Sequence, residues 1–207
     1  MNLTSTVRIA ICGLGLGLGA CATEVEGDAE DVETQTGYGV EQSTGMNRFA
    51  DFSPIANTVA AIERYRSFHE IALWTRELTP GNVVVLEYIV YNAPENCTNP
   101  TPWGRCSVPD SMNPATESSA IWVRGRVVRS SGTLAVYDWI GVGEDGAPGE
   151  IAWGPGLTDV QGAEVHFLVF DKGKPIAGRL EEQLTTFQGG CDVNVCQPLQ
   201  FGILPGL

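Results

Sequence analysis

The chain has 207 residues, a net charge of −13, and 25 acidic against 12 basic residues. This balance leaves no basic stripe for nucleic acid and excludes nucleic-acid binding as an expected role. No apolar run reaches the roughly 20 residues that a membrane-spanning helix needs.

Residues 1–20 have the composition of an export signal. Arg8 is their only charged residue, and residues 9–20 are small and apolar. The end of this segment together with the next residue, Leu18-Gly19-Ala20-Cys21, resembles the lipobox of bacterial lipoproteins. That resemblance implies cleavage before Cys21 and acylation of this cysteine, and several acyl chains hold a protein to a bilayer stably. The alternative is an ordinary secretory signal that happens to end near a cysteine.

Ala22 after the cysteine resembles the pattern of lipoproteins that are sent on to an outer membrane. We therefore expect a cell-envelope protein, anchored by lipid to the outer membrane. Residues 21–46 form the next segment, with seven acidic and no basic residues between positions 22 and 45. Such a segment buries too little apolar surface to offset its ordering entropy, which predicts a disordered acidic tether.

Residues 47–207 form the predicted domain, which is long enough for one core. Its short β-rich segments and Gly/Pro turns predict an all-β fold, an antiparallel β-sandwich of about six to eight strands with short helical insertions. After an irregular or helical lead-in at 47–66, the predicted elements are a hairpin of strands 69–78 and 83–92, a hairpin of strands 120–130 and 133–142, a strand at 163–171, a short helix opening at Pro175, and a strand at 198–204.

Four cysteines remain in the domain: Cys97, Cys106, Cys191 and Cys196. An even number in an exported chain predicts two disulfides, for which three connectivities are open. We favour the local pairs, 97 with 106 and 191 with 196. The second pair has four intervening residues, which differs from the C-x-x-C of thiol oxidoreductases and favours a structural role.

Two longer runs, LTPGNVVVLEYIVYNAPENC and GAEVHFLVFDKGKPIAGRLEEQLTTFQGGC, are similar to a group of uncharacterised secreted bacterial β proteins. That resemblance implies a β domain and brings no activity with it. The second run also remotely resembles the chordin-type (CHRD) β-sandwich domain, whose strand carries His-x-His. Here the strand reads Glu164-Val165-His166, so the first histidine of that pattern is replaced by glutamate.

The chain has two histidines, His69 and His166, each in or beside a predicted strand. Together with Glu70 or Glu164 they are candidate metal ligands, since imidazole and carboxylate suit zinc and copper. No H-x-H or H-E-x-x-H spacing supports a site, and hydrogen-bonded histidines are far more common. Since no G-x-S-x-G is present either, we nominate no catalytic residue and no cofactor. A metal-binding protein or a hydrolase using His166 and nearby carboxylates is the alternative function.

The long loop at 93–118 holds five prolines and Trp103. Loops of this length are often functional, and Trp103 and Trp153 are our candidate ligand-binding residues. With Trp122, Tyr137 and Trp139 they would form a platform for a saccharide or a partner protein, unless they fill the core instead. The sequence thus predicts a non-enzymatic, membrane-anchored domain that binds a ligand or partner.

Overall fold

A computed structural model describes residues 39–143, 151–187, 189–191 and 196–207. The predicted signal peptide, Cys21 and residues 22–38 of the predicted tether lie outside this part. Its strands and helix are β1 (Val40–Thr44), β2 (Asn47–Arg48), β3 (Val59–Arg64), β4 (Phe68–Thr75), β5 (Val83–Tyr91), β6 (Ser118–Val127), β7 (Leu134–Gly141), β8 (Ile151–Trp153), β9 (Glu164–Asp171), α1 (Leu180–Thr185) and β10 (Gln197–Leu204).

The strands form two sheets. Sheet A has the order β1-β3-β4-β7, and sheet B has the order β2-β10-β9-β5-β6-β8, with every strand pair antiparallel. The facing sides of the two sheets bury one apolar core, to which Ile71, Val136, Leu86 and Phe167 contribute. The predicted antiparallel sandwich is confirmed. Of the ten strands in the described part, β2 and β8 have only two and three residues.

The start of the domain lies earlier than the sequence predicted. Strand β1 occupies residues 40–44 of the predicted tether and pairs with β3, with Gln42 opposite Ile62. Met46 is fully buried in the core. The strand was missed because its side chains are mostly polar and exposed, as suits the edge of a sheet. The lead-in at 47–66 contains β2 and β3, joined by an irregular segment, and has no helix.

Both predicted hairpins are wrong, although their strands exist. β4 belongs to sheet A and β5 to sheet B, and β6 and β7 are divided in the same way. Each turn therefore carries the chain from one sheet to the other. The two crossings lie side by side, since the Leu78 N–H donates to the Gly132 carbonyl at 3.0 Å. Turn residues specify a reversal of the chain, and they do not specify which strand becomes the partner.

The predicted helix at Pro175 begins later, at Leu180, and lasts only six residues. It lies against the outer side of sheet B. A Cβ at Gly125 of β6 would come within 2.2 Å of the Leu184 carbonyl oxygen, so glycine is required for this close approach.

Residues 93–117 are folded into three short 3-10 helices, Pro94–Asn96, Val108–Met112 and Pro114–Thr116. The disulfides pair Cys97 with Cys106 and Cys191 with Cys196, which confirms the local connectivity. Asp110 holds this loop from within, because its carboxylate accepts hydrogen bonds from the Thr98 N–H, the Asn99 amide and the Ser107 N–H, each at 2.9 Å. Burial acts to raise the pKa of Asp110, but these hydrogen bonds outweigh it and lower the pKa to about 2.

Replacing Asp110 by alanine should destabilise the domain by about 3 kcal/mol, because the Thr98 and Ser107 N–H groups lose a charged acceptor. The wild-type contribution is complete above the ordinary carboxyl pKa of 3.8 and is lost as the pH falls towards 2. Denaturant unfolding at pH 7 and at pH 2.5 measures both effects. Glu95→Ala, an exposed change in the same loop, is the control. Equal unfolding free energies for the two variants at pH 7 would contradict the role of Asp110.

Candidate ligand-binding cavity

Strand β5 is buried along its whole length, on both sides of sheet B. Val84, Leu86, Tyr88 and Val90 face the core between the sheets. Because side chains alternate along a strand, Glu87 and its neighbours two residues away face the outer side. That side packs against the 93–117 loop, α1 and the segment at 49–52.

The cover over the outer side of sheet B leaves a cavity of about 490 Å³. Its floor comes from the central strands, with Ile89 on β5 and His166 and Leu168 on β9. Strand β10 stands on one side of this floor, and β6 and β8 stand on the other. The cavity is therefore a trough across sheet B whose walls come from its flanking strands and from the covering loops.

The first wall is an aromatic cluster beside β10. Trp103 lies 5.1 Å from Phe201 and 5.7 Å from Phe52, measured between ring centroids, and Phe49 lies 6.2 Å from Phe201. A tight turn presents Trp103, because the Thr101 N–H donates to the Gly104 carbonyl at 2.9 Å. The loop thus adds its tryptophan to a wall formed by β10 and the segment at 49–52.

The second wall contains Trp153 of β8, whose ring lies 5.3 Å from that of Phe187 in an edge-to-face contact. The backbone of Trp153 pairs with Ala120 of β6. Both candidate tryptophans line the cavity and remain partly exposed, Trp103 at 37% and Trp153 at 40%. The structure thus brings the two predicted binding residues to one site, on opposite flanks of the sheet.

Glu87 is the charged residue of the floor, and its role is not among those predicted from the sequence. It is only 2% exposed, and its carboxyl group has no hydrogen-bond partner among the described residues. Burial raises its pKa to about 8, against a smaller lowering effect of Lys172. On β6 its cross-strand neighbour is Trp122, whose buried indole N–H also has no partner in the described part. The signal was present, since Glu87 interrupts the apolar run VVVLEYIVY.

His166 lines the cavity and is held by Glu164, with 2.8 Å between His166 Nε2 and Glu164 Oε1. Glu164 also accepts the N–H groups of Arg105 at 2.7 Å and Cys106 at 2.8 Å. Burial acts to raise the pKa of Glu164, but the hydrogen bonds from His166, Cys106 and Arg105 outweigh it and lower the pKa. The pair therefore fastens the disulfide loop to β9.

His69 does not share this site. It is fully buried between the sheets, with its Nδ1 2.6 Å from the Tyr88 hydroxyl and its Nε2 2.6 Å from the Val160 carbonyl. His166 lies on the other side of sheet B, so the two histidines cannot bind one metal ion. Among the described residues no group of three His, Cys, Asp or Glu side chains could hold a metal. The structure thus does not bring His69 and His166 together as a pair of ligands. Burial lowers the pKa of His69 to about 4.

The other predicted aromatics lie elsewhere. Tyr137 and Trp139 stand on the outer side of sheet A, 64% and 65% exposed, while Trp122 is half-buried on sheet B. The single platform of five aromatic residues is therefore divided between two faces of the sandwich. Sequence could not reveal this division, because it depends on which sheet each strand joins.

No family model, no curated protein and no solved structure matches this chain. The lipobox and the resemblances to secreted β proteins thus stay predictions from sequence. Within the described residues no helix is long and apolar enough to cross a membrane. What the cavity binds has to be inferred from its own geometry and charges.

Replacing Glu87 by glutamine should make the domain more stable than the wild type, by an amount that increases with pH. The folded-state pKa is raised from the ordinary 4.5 to about 8, so wild-type stability declines across this interval. We expect the variant and the wild type to be nearly equal at pH 4.5, and the variant to be more stable by about 2 to 4 kcal/mol at pH 8. Denaturant unfolding measures the difference, with Glu41→Gln on exposed β1 as the control. A pH-independent difference would contradict the burial of an ionisable Glu87.

Proposed function

We propose that this domain is a binding protein for a small, mainly apolar ligand, which it takes up in the cavity on the outer side of sheet B. The observation that carries the proposal is the cavity itself, 490 Å³ in volume, with aromatic walls and few polar groups. Ligand sites for small molecules have this size and this composition, with a few polar groups that fix orientation.

The construction of the rim supports the proposal. The Cys97–Cys106 disulfide closes the loop that carries Trp103. Inside the loop Asp110 accepts backbone hydrogen bonds, and Glu164 of β9 accepts the N–H of Arg105. A site whose loops are ordered before binding loses little conformational entropy when the ligand enters. The same contacts favour a non-enzymatic role for His166 and Glu164, because they use both carboxylate oxygens and one imidazole nitrogen to position the loop.

We further propose that the domain is a lipoprotein of the cell envelope, anchored through Cys21 to the outer membrane. The first described strand begins at Val40, so the acidic linker would comprise fewer than 20 residues. Even fully extended it could reach no more than about 70 Å from the lipid. The cavity would then work close to the membrane surface, where apolar molecules are concentrated.

Trp103→Ala should weaken the binding of an apolar probe, N-phenyl-1-naphthylamine, by about 3- to 10-fold, because one wall loses an aromatic ring. The probe's fluorescence, titrated with the full-length chain carrying Cys21→Ser to prevent acylation, measures its affinity. The matched control is Trp139→Ala, which removes an exposed tryptophan on sheet A. Equal losses for the two variants, or no saturable binding by the parent chain, would refute the proposed site.

The anchor predicts that Cys21→Ser abolishes membrane retention, because the thiol at the lipobox position is lost. Full-length wild type and variant would be expressed in a Gram-negative host, labelled with a radioactive fatty acid, and separated into membrane and soluble fractions. We expect label in the wild type alone. A labelled variant would overturn the assignment of Cys21. Cys12→Ser, a change inside the signal, is the control and should leave labelling intact.

A further inference from the structure

The titratable side chains that line the described cavity are Glu87, Tyr91 and His166, and no lysine or arginine lines it. Two of the three have partners in the protein. Tyr91 donates its hydroxyl to the Ser107 carbonyl at 2.8 Å, and His166 is bonded to Glu164. Of these three side chains, only Glu87 lacks a hydrogen-bond partner among the described residues, although it is 98% buried. A buried carboxyl group without a partner is costly, and a ligand that supplies a donor would remove that cost.

The surroundings of Glu87 favour a positively charged donor. The rings of Trp103 and Trp153 line the same cavity as Glu87, and the negative faces of aromatic rings attract cations. Glu164 is ionised and bonded to His166, and both lie on β9, the strand beside Glu87. Its negative charge would repel a ligand anion at this floor. The chain as a whole has a net charge of −13, which raises the local concentration of cations.

We propose that the ligand is an organic amine, a primary ammonium group on an aromatic or alkyl body, whose ammonium binds Glu87 while its body packs between the aromatic walls. This inference rests on the proposed function and names its ligand class. An ammonium donates up to three hydrogen bonds, and a charge-assisted bond to a carboxylate is stronger than a neutral one.

Binding is coupled to the release of one proton. Without ligand, Glu87 is mainly protonated at neutral pH because its burial raises the pKa to about 8. The ammonium binds the carboxylate, so the Glu87 O–H bond is broken and its proton passes to water, while the amine keeps its own protons. Below the pKa of Glu87, affinity should therefore rise by up to about 10-fold per pH unit.

The other charged groups near Glu87 do not substitute for the ligand. Lys172 extends from the end of β9, and its Nζ donates to the carbonyls of Thr186 and Gly189, so it lowers the pKa of Glu87 without pairing with it. Burial lowers the pKa of Lys172 to about 8, and the carboxylate of Glu182 on α1 opposes this by raising it. His166 and Glu164 are bonded to each other. The carboxyl group of Glu87 is thus left for a molecule that enters the cavity.

A matched pair of probes tests the inference: 1-naphthylmethylamine and 1-naphthylmethanol, which differ in one ammonium against one hydroxyl. Each would displace N-phenyl-1-naphthylamine from the full-length Cys21→Ser chain. We expect the amine to bind at least 10-fold more tightly than the alcohol at pH 7.5, and this preference to shrink at pH 6. In Glu87→Gln the preference should fall to about 1, whereas Glu95→Gln outside the cavity should retain it.

The outcomes separate the two proposals. If the fluorescent probe binds and the amine and alcohol compete equally, or if the preference survives in Glu87→Gln, the amine inference is overturned and the cavity remains a ligand site. If the probe does not bind the parent chain at all, the proposed function fails as well. Probe binding by Glu87→Gln reports whether its cavity is formed. The pH dependence in the parent chain tests the inference independently of any variant.

Discussion

Sheet B is apolar on both of its faces, and β5 is buried along all nine residues. One face is covered by sheet A, which completes the core of the sandwich. In the described part of the chain no second sheet covers the other face, so loops, a short helix and the segment at 49–52 perform this role. Sheet A needs no such cover, and its outer side exposes Tyr137 and Trp139 to solvent. The cavity lies where the irregular cover over sheet B is incomplete.

An irregular cover buries backbone N–H and C=O groups that no strand pairs, and each of these groups needs a hydrogen-bond partner. Buried polar side chains provide the partners. Asp110 and Glu164 accept N–H groups of the disulfide loop, and Lys172 donates to the carbonyls that follow α1. Gln183 of α1 is fully buried and bonds to the Lys172 carbonyl and the Ile176 N–H. The polar groups that look exceptional in an apolar layer are therefore what keeps its loops in place.

The sequence was informative wherever a property is local. Alternation and β-branched composition located most of the longer strands, and short spacing favoured the correct disulfides. Partner choice is not local, so the sequence pattern predicts both hairpins wrongly. The polar strand β1 has the composition of a tether, and only its pairing with β3 distinguishes it. Trp103 and Trp153 were nominated from their places in or beside irregular segments, and both line the cavity. The role of Glu87 is not predictable from sequence, because it depends on Trp122 across from it on β6 and on the nearby charge of Lys172.

Strand β2 pairs with β10, so Arg48 near the start of the domain lies opposite Gln200 near its end. Contacts this distant in sequence require closure of a long loop before they contribute, and they make folding slow. A chain that emerges with its amino terminus first cannot complete sheet B until its last strand arrives. Until then the β5 segment, apolar on both sides, is open to neighbouring chains. The strand that later forms the floor of the cavity is thus the segment that a nascent chain has to protect from aggregation.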